Sequence, residues 1–198
     1  MGVSWLENPV APMPDHHPLY VLLESSATSD VLEQTLEAAI EAGEVVDAIL
    51  ATSQTQARSL WKIREATGEF PVRLAPLNFD ISLPIGQIGD FADLCRQRLA
   101  ARWPGHHSVY FGHIGDSNLH LTVDCNSLPQ PAPVYEIEEL VYTAVGELGG
   151  AVSAEHGIGL LKREFLHHSV SDEALEAMAG LKRSFDPKGI LNPGKIFG

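Results

Sequence analysis

The sequence has few cysteines, few basic residues and no long apolar run. Its 198 residues include only Cys95 and Cys125 as cysteines, too few for the disulfide framework of a small secreted domain and typical of a reducing cytoplasm. Lys and Arg number 13 against 26 Asp and Glu, a formal charge of -13. Phosphate backbones repel such a chain, so nucleic acid is a poor partner. No apolar run approaches the roughly 18 residues of a membrane-spanning helix.

The N-terminal segment lacks the basic and apolar regions of a signal peptide. It carries four prolines before Tyr20, so we expect residues 1–17 to be an extended lead-in or the edge of an expressed fragment. Glycine-rich nucleotide motifs of the GxGxxG or P-loop type are also missing. What is present is ordinary globular composition, 44% hydrophobic and 20% charged, in a length that suits one domain over residues 18–198.

Strand and helix patterns alternate along the chain. Strands are predicted at 18–25, at 45–51, in FDISLP (79–84) and on both sides of residue 116. Helices are predicted from Ser29 or Asp30 to Gly43, and at 53–67, 87–102, 134–150 and 172–185. Because a hairpin around residue 116 requires antiparallel pairing, the expected fold class is α+β, a ferredoxin-like antiparallel or mixed sheet with helices packed on one face.

Two histidines flank the turn-forming residues of GHIGDSNLHLTVD (112–124). If Asp116 and Ser117 form the loop, paired positions sum to 233, and His113 lies opposite His120 with Cβ atoms about 5 Å apart. Neighbouring imidazoles can bind one divalent metal, although two exposed surface histidines explain the spacing equally well. The face of the histidines would also carry Val109, Phe111, Thr122 and Asp124, and the core face would carry Tyr110, Ile114, Leu119, Leu121 and Val123.

A second polar group occurs in SAEHGIGLLKREFL (153–166). Adjacent side chains diverge in extended backbone, so one of Glu155 and His156 can reach a metal while the other faces a substrate. Gly157 and Gly159 permit close backbone approach and unusual φ angles. Two histidines and one carboxylate leave coordination positions open, as in catalytic metal sites. Taken alone, however, this segment is explained more simply as a solvated loop.

Three segments, GHIGDSNLHLTVD, SAEHGIGLLKREFL and FDPKGILNPGK, together resemble the C-terminal domain of FAD-linked oxidases of the vanillyl-alcohol-oxidase type. This family includes D-2-hydroxyglutarate dehydrogenases, D-lactate dehydrogenases and the flavin subunit of glycolate oxidase. The resemblance extends from about Leu19 to Lys195. It implies the substrate and metal domain of an enzyme that oxidises a D-2-hydroxy acid to a 2-oxo acid by hydride transfer to FAD. It also implies that the N-terminal FAD-binding domain is absent from these residues, which leaves the chain inactive alone.

The resemblance assigns roles to individual residues. His113, His120 and Glu155 match the ligands of a divalent ion, commonly zinc, and His156 matches the base that contacts the substrate hydroxyl. Arg64, in WKIRE, matches an arginine that binds the substrate carboxylate through its bidentate fork. Without the resemblance, Arg64 would be interpreted as a solvated helix residue.

Other matches concern the flavin and the identity of the substrate. Asn192, in NPGK, matches an asparagine near the flavin. Two positions depart from the pattern of D-2-hydroxyglutarate dehydrogenases. The family has a lysine before the FDISLP strand that helps to hold a carboxylate, and the nearest residue here is Asn78. Thr122 stands where the family has an asparagine. Both positions are substrate contacts in the family, so Thr122 is expected to bind substrate, and the particular hydroxy acid stays open.

The expected partners are a small 2-hydroxy acid and the flavin domain of the same enzyme, in the cytoplasm, and a homodimer stays open. Two alternatives compete with the dehydrogenase. One is a free-standing metal hydrolase, in which the ion activates water with Glu155 or His156 as base. The other is a non-catalytic binding domain that docks a partner through its acidic surface.

Overall fold

The computed structural model describes residues 13–26, 28–70 and 74–197. The chain divides into two compact units, Met1–Pro71 and Val72–Gly198. Most of the predicted lead-in, residues 1–12, lies outside the described residues. Within the described ranges, the helices are too short or too polar to cross a membrane.

The described residues of the first unit form two helices, α1 (Ser29–Glu41) and α2 (Gln54–Glu65), and a 3-10 turn at Ala66–Glu69. The Ser53 hydroxyl caps α2 by accepting the backbone N–H of Gln56. The N-cap of α1 is Thr28, one residue before the predicted Ser29 and two before the predicted Asp30. The strands predicted at 18–25 and 45–51 are wrong, since neither segment forms a strand. A strand needs a neighbour for its backbone groups, and the described residues of this unit provide none.

The second unit is an antiparallel sheet with helices. Its strands are β1 (Pro76–Ser82), β2 (Ser108–Phe111) and β3 (Asn118–Asp124), in the order β1-β3-β2. The helices are α3 (Ile88–Arg102), α4 (Val134–Glu147) and α5 (Asp172–Phe185), with 3-10 turns at Ile85–Gln87, Ile114–Asp116, Cys125–Ser127 and Arg163–His168. The predicted α+β class is confirmed, with three antiparallel strands among the described residues.

Alternation along β1 and β3 separates an apolar face of the sheet from a polar one. The apolar face packs with one side of α3 and one side of α4 into a single core, whose central members are Phe79, Ile81, Leu119, Leu121, Val123, Phe91, Leu99, Ile137, Val141 and Val145. Cys95 is buried in this core, and Cys95 and Cys125 are both free thiols. The opposite face of the sheet carries the polar residues of both strands, including His120.

The predicted hairpin is confirmed, but its register is wrong by two residues. Phe111, not His113, pairs with His120, because the turn contains the 3-10 segment Ile114–Asp116 and Ser117 adopts a left-handed φ of 58°. A shift of two preserves the face of every strand residue, so Leu119 still faces the core. Ile114 does not, since it lies in the turn with 54% of its surface exposed.

Candidate functional site

Two histidines and a glutamate converge on the polar side of the sheet. His120 lies on β3, His113 follows β2, and Glu155 lies in the loop of residues 153–157. His113 Nδ1 is 3.3 Å from Glu155 Oε1, and His120 Nε2 is 4.0 Å from Glu155 Oε2. One ligand atom from each residue lies within 4.8 Å of the other two. Two imidazole nitrogens and one carboxylate oxygen at this spacing suit one divalent ion with open positions.

His120 is the inner member of this cluster. Its side chain is only 14% exposed, and its ring packs 5.1 Å from that of Phe111. Burial lowers the pKa of His120, although the nearby carboxylates of Asp80 and Glu155 oppose that shift. The neutral imidazole is the form that binds metal, so this environment favours the metal-binding state.

His156 lies beside the cluster and faces outward. Its ring stacks on that of His120 with centroids 5.9 Å apart, and its side chain is 64% exposed. The Nδ1 atom of His156 is 3.8 Å from a carboxylate oxygen of Asp80. An exposed imidazole with a carboxylate behind it is suited to accepting a proton from a bound molecule.

Asp80 is a residue of this site that the sequence motifs did not predict. It pairs with His120 across the β1–β3 ladder and is 1% exposed. Its carboxylate accepts the backbone N–H groups of Glu155 at 3.0 Å and His156 at 2.8 Å. Burial would raise the pKa of Asp80, but these donors and the Lys162 ammonium lower it to about 2. The sequence held a signal, since alternation in FDISLP places Asp80 on the face opposite Phe79.

Asp80 also forms a close group with Glu155 and His156 that meets the spacing of a metal site. Its two oxygens, however, already accept backbone, amide and ammonium hydrogens, and little lone-pair capacity is left for a cation. The cluster of His113, His120 and Glu155 is therefore the better cation site of the two.

Thr122 and Asn78 face each other across β3 and β1, on the side of the sheet that carries His120. The Thr122 hydroxyl donates to the Asn78 side-chain oxygen at 2.8 Å. Thr122 is 2% exposed, whereas Asn78 is exposed. Asn78 is thus the member of the pair that a bound molecule can reach directly.

The two remaining predicted residues lie apart from this cluster in the sequence. Arg64 is on α2 in the first unit and is half-buried. Asn192 has a left-handed φ of 45° in the C-terminal segment. In that segment, the Ile196 N–H donates a hydrogen bond to the Gly159 carbonyl at 3.0 Å. Gly159 follows the loop that carries Glu155 and His156.

The chain is similar to known dehydrogenases over nearly its whole length. D-2-hydroxyglutarate dehydrogenase of Stutzerimonas stutzeri (strain A1501) is 35% identical over 94% of this chain and 42% of the relative. The mitochondrial D-2-hydroxyglutarate dehydrogenase of Rattus norvegicus is 38% identical over 96% and 35%. A putative mitochondrial D-lactate dehydrogenase of Schizosaccharomyces pombe is 35% identical over 93% and 38%.

The chain therefore spans well under half the length of these relatives. A family described as "FAD linked oxidases, C-terminal domain" matches residues 3–196. This match confirms the resemblance drawn from the three motifs. The chain belongs to the C-terminal domain family of the FAD linked oxidases.

Proposed function

We propose that this chain is the substrate- and metal-binding part of an FAD-dependent dehydrogenase that oxidises a D-2-hydroxy acid to a 2-oxo acid. The observation that carries the proposal is the convergence of His113, His120 and Glu155 beside the exposed imidazole of His156. Membership of the FAD linked oxidase family supports it, as do the names of the relatives. The cytoplasmic location favoured by two free cysteines stays a prediction, because some relatives are named as mitochondrial.

The donor set suits zinc. Imidazole and carboxylate are both zinc ligands, and three protein ligands leave room for a substrate oxygen. A divalent ion held by His113, His120 and Glu155 would supply Lewis acidity to the 2-hydroxyl group of the substrate. Zinc itself is part of the proposal, since the same donors also bind other divalent metals.

Each remaining residue has one task in the proposed reaction. His156 accepts the hydroxyl proton, and the Asp80 carboxylate, 3.8 Å from its Nδ1 atom, stabilises the imidazolium that results. Arg64 is the residue that the family resemblance assigns to the substrate carboxylate, which its guanidinium would bind in a bidentate pair. A bound flavin would supply the acceptor for the hydride. Asn192 would contribute a contact to the flavin, and a flavin-binding domain of the same enzyme would contribute the rest.

The Asn78–Thr122 pair bears on the choice of hydroxy acid. Both side chains are uncharged, and the Thr122 hydroxyl donates to the Asn78 side-chain oxygen across the ladder. A second substrate carboxylate gains most from a cationic partner. We therefore propose that this position favours a hydroxy acid whose far end is uncharged, such as D-lactate, over D-2-hydroxyglutarate.

Calorimetric titration tests the metal part of the proposal. Zinc is titrated into the wild type, His120→Ala and His167→Ala, where His167 is an exposed histidine whose ring contacts that of His168. We expect His120→Ala to lose more affinity than the 10- to 100-fold typical of an outer-shell change, and His167→Ala to keep it. Equal affinities in the wild type and His120→Ala would refute the proposal.

A second titration separates the dehydrogenase from the alternatives. D-lactate and D-2-hydroxyglutarate are added to the chain with and without zinc. We expect zinc-dependent binding of a hydroxy acid, with D-lactate the better ligand. Zinc-dependent ester hydrolysis by the chain alone would favour the hydrolase instead, and the absence of any zinc-dependent ligand binding would favour the binding domain.

A further inference from the structure

Three consecutive backbone N–H groups point at a single carboxylate. The N–H groups of Ala154, Glu155 and His156 donate to Asp80 Oδ2 at 3.2, 3.0 and 2.8 Å. Successive N–H groups that converge in this way form a concave anion-binding site, which proteins elsewhere use for phosphate and other ligands. In this chain the anion is the protein's own side chain, supplied by β1.

Residues 153–157 belong to neither a helix nor a strand. Regular hydrogen bonding therefore does not fix the backbone from which Glu155 and His156 project. Asp80 sits on β1, directly across the ladder from His120. The same carboxylate thus ties the backbone of the loop to the strand pair that carries His120.

Lys162 completes this arrangement. Its ammonium donates to the Asp80 carbonyl at 3.0 Å and to the Ser153 hydroxyl at 3.0 Å, and lies 3.5 Å from the Asp80 carboxylate. The Lys162 side chain is 12% exposed. A buried carboxylate needs a countercharge, which Lys162 supplies. The Lys162 ammonium also holds Ser153, the first residue of the loop, through its hydrogen bond to the hydroxyl.

We propose that Asp80 and Lys162 are positioning residues that place Glu155 and His156 on the same side as His113 and His120. This inference rests on the proposed metal site and adds residues that act through it without touching the ion. Holding a ligand within a fraction of an ångström requires support from the residues behind it. Asp80 provides that support for the Glu155 ligand and the His156 base at once, and for His120 through its 4.0 Å approach to Nδ1.

Asp186 offers a matched control, because it is built in the same manner. It is a buried aspartate that accepts the N–H groups of Ile190 at 3.0 Å and Leu191 at 2.9 Å, and it pairs with Lys182. Asp186 holds the end of α5 and the following turn. Loss of its carboxylate should therefore disturb the fold without moving the metal ligands.

The test uses zinc and cobalt alone as probes of the whole chain. Zinc affinity is measured by competition with a chromogenic chelator, and the visible spectrum of the Co²⁺-loaded protein reports coordination geometry. We expect Asp80→Asn and Lys162→Met each to lower zinc affinity by about tenfold or more and to change the cobalt spectrum. Asp186→Asn should keep both near the wild type even if its melting temperature falls.

The outcomes separate this inference from the proposed function. If the wild type and His120→Ala bind zinc with equal affinity, the proposed metal site itself is refuted. A second outcome is that the wild type binds zinc more tightly than His120→Ala, while Asp80→Asn or Lys162→Met keeps the wild-type zinc affinity and cobalt spectrum. This outcome would overturn the positioning role alone. If Asp80→Asn does not fold, Lys162→Met decides. An equal loss of affinity in Asp186→Asn would show that general destabilisation, and not positioning, is responsible.

Discussion

At the scale of single residues, the site combines an inner and an outer histidine, for which we propose different tasks. His120 is 14% exposed and packs against Phe111, whereas His156 is 64% exposed. Burial lowers the pKa of the inner imidazole, which favours the neutral form that binds metal. The outer imidazole is open to solvent, which suits a group that exchanges protons with a substrate.

Zinc binding should weaken as the pH falls. Protonation of the histidine ligands competes with the metal, and burial lowers the pKa of His120 below its ordinary value of 6.5. Competition at His120 should therefore set in at a lower pH than it would for an unburied imidazole. Calorimetric titrations at pH 8, 7, 6 and 5 are expected to show similar affinities at the two higher values and a marked loss at pH 5. Equal affinities at pH 8 and pH 5 would contradict ligation by histidine.

The Asp80 carboxylate should contribute stability that disappears in acid. Its pKa falls from 3.8 to about 2 on folding, a shift equivalent to about 2 kcal/mol. A lowered pKa stabilises the folded state above pH 3.8, and the contribution is lost as pH falls toward 2. The free energy of unfolding in urea should differ between the wild type and Asp80→Asn by the same amount at pH 7 and pH 5, and by less near pH 2.5. A difference that does not change with pH would contradict this account.

At the scale of elements, the β2–β3 hairpin could be predicted from sequence, but its register could not. Turn-forming residues and alternating apolar positions indicate the hairpin and the faces of its strands. The pairing depends on the loop, which contains the 3-10 segment Ile114–Asp116 and the left-handed Ser117. A six-residue loop of this form has no residue signature comparable with the Asn-Gly pair of a two-residue turn.

Two glycines of this hairpin should respond differently to substitution. A Cβ atom on Gly112 would lie 2.9 Å from Leu119 Cα, whereas one on Gly115 would meet nothing within 4 Å. We expect Gly112→Ala to destabilise the fold by about 1–3 kcal/mol and to weaken zinc binding, because His113 is the next residue. Gly115→Ala should change stability by less than about 0.5 kcal/mol. Chemical denaturation and zinc titration of both variants check this, and equal behaviour of the two would be inconsistent with the hairpin geometry.

At the scale of the whole molecule, the sequence was informative about the second unit and less so about the first. Apolar alternation in β1 and β3 identified the sheet, and the three motifs identified the family. The apolar runs at 18–25 and 45–51 suggested strands that did not form. Leu19 and Val46 are 73% and 83% exposed, and apolar composition does not specify a pairing partner. Asp80 was missed because its role depends on loop residues more than 70 positions away.

The purified chain should carry no flavin and show no dehydrogenase activity by itself. Its sequence contains no glycine-rich pyrophosphate motif, and Asn192 with its neighbours could contact only one side of an isoalloxazine ring. Gel filtration followed by absorbance spectroscopy and an assay with a dye acceptor measures both properties. A stable flavin band that elutes with the protein would contradict the expected division of labour between this chain and a flavin domain.

The central claim is that His113, His120 and Glu155 together hold one divalent ion. Anomalous diffraction at the zinc edge, from crystals of the chain grown with zinc, tests it most directly. We predict an anomalous peak bonded to one nitrogen of each histidine, at about 2.0–2.1 Å, and to a carboxylate oxygen of Glu155. Such a peak would stand beside the imidazole of His156. Zinc bound only elsewhere on the chain, or no peak among these three side chains at saturating zinc, would contradict the account.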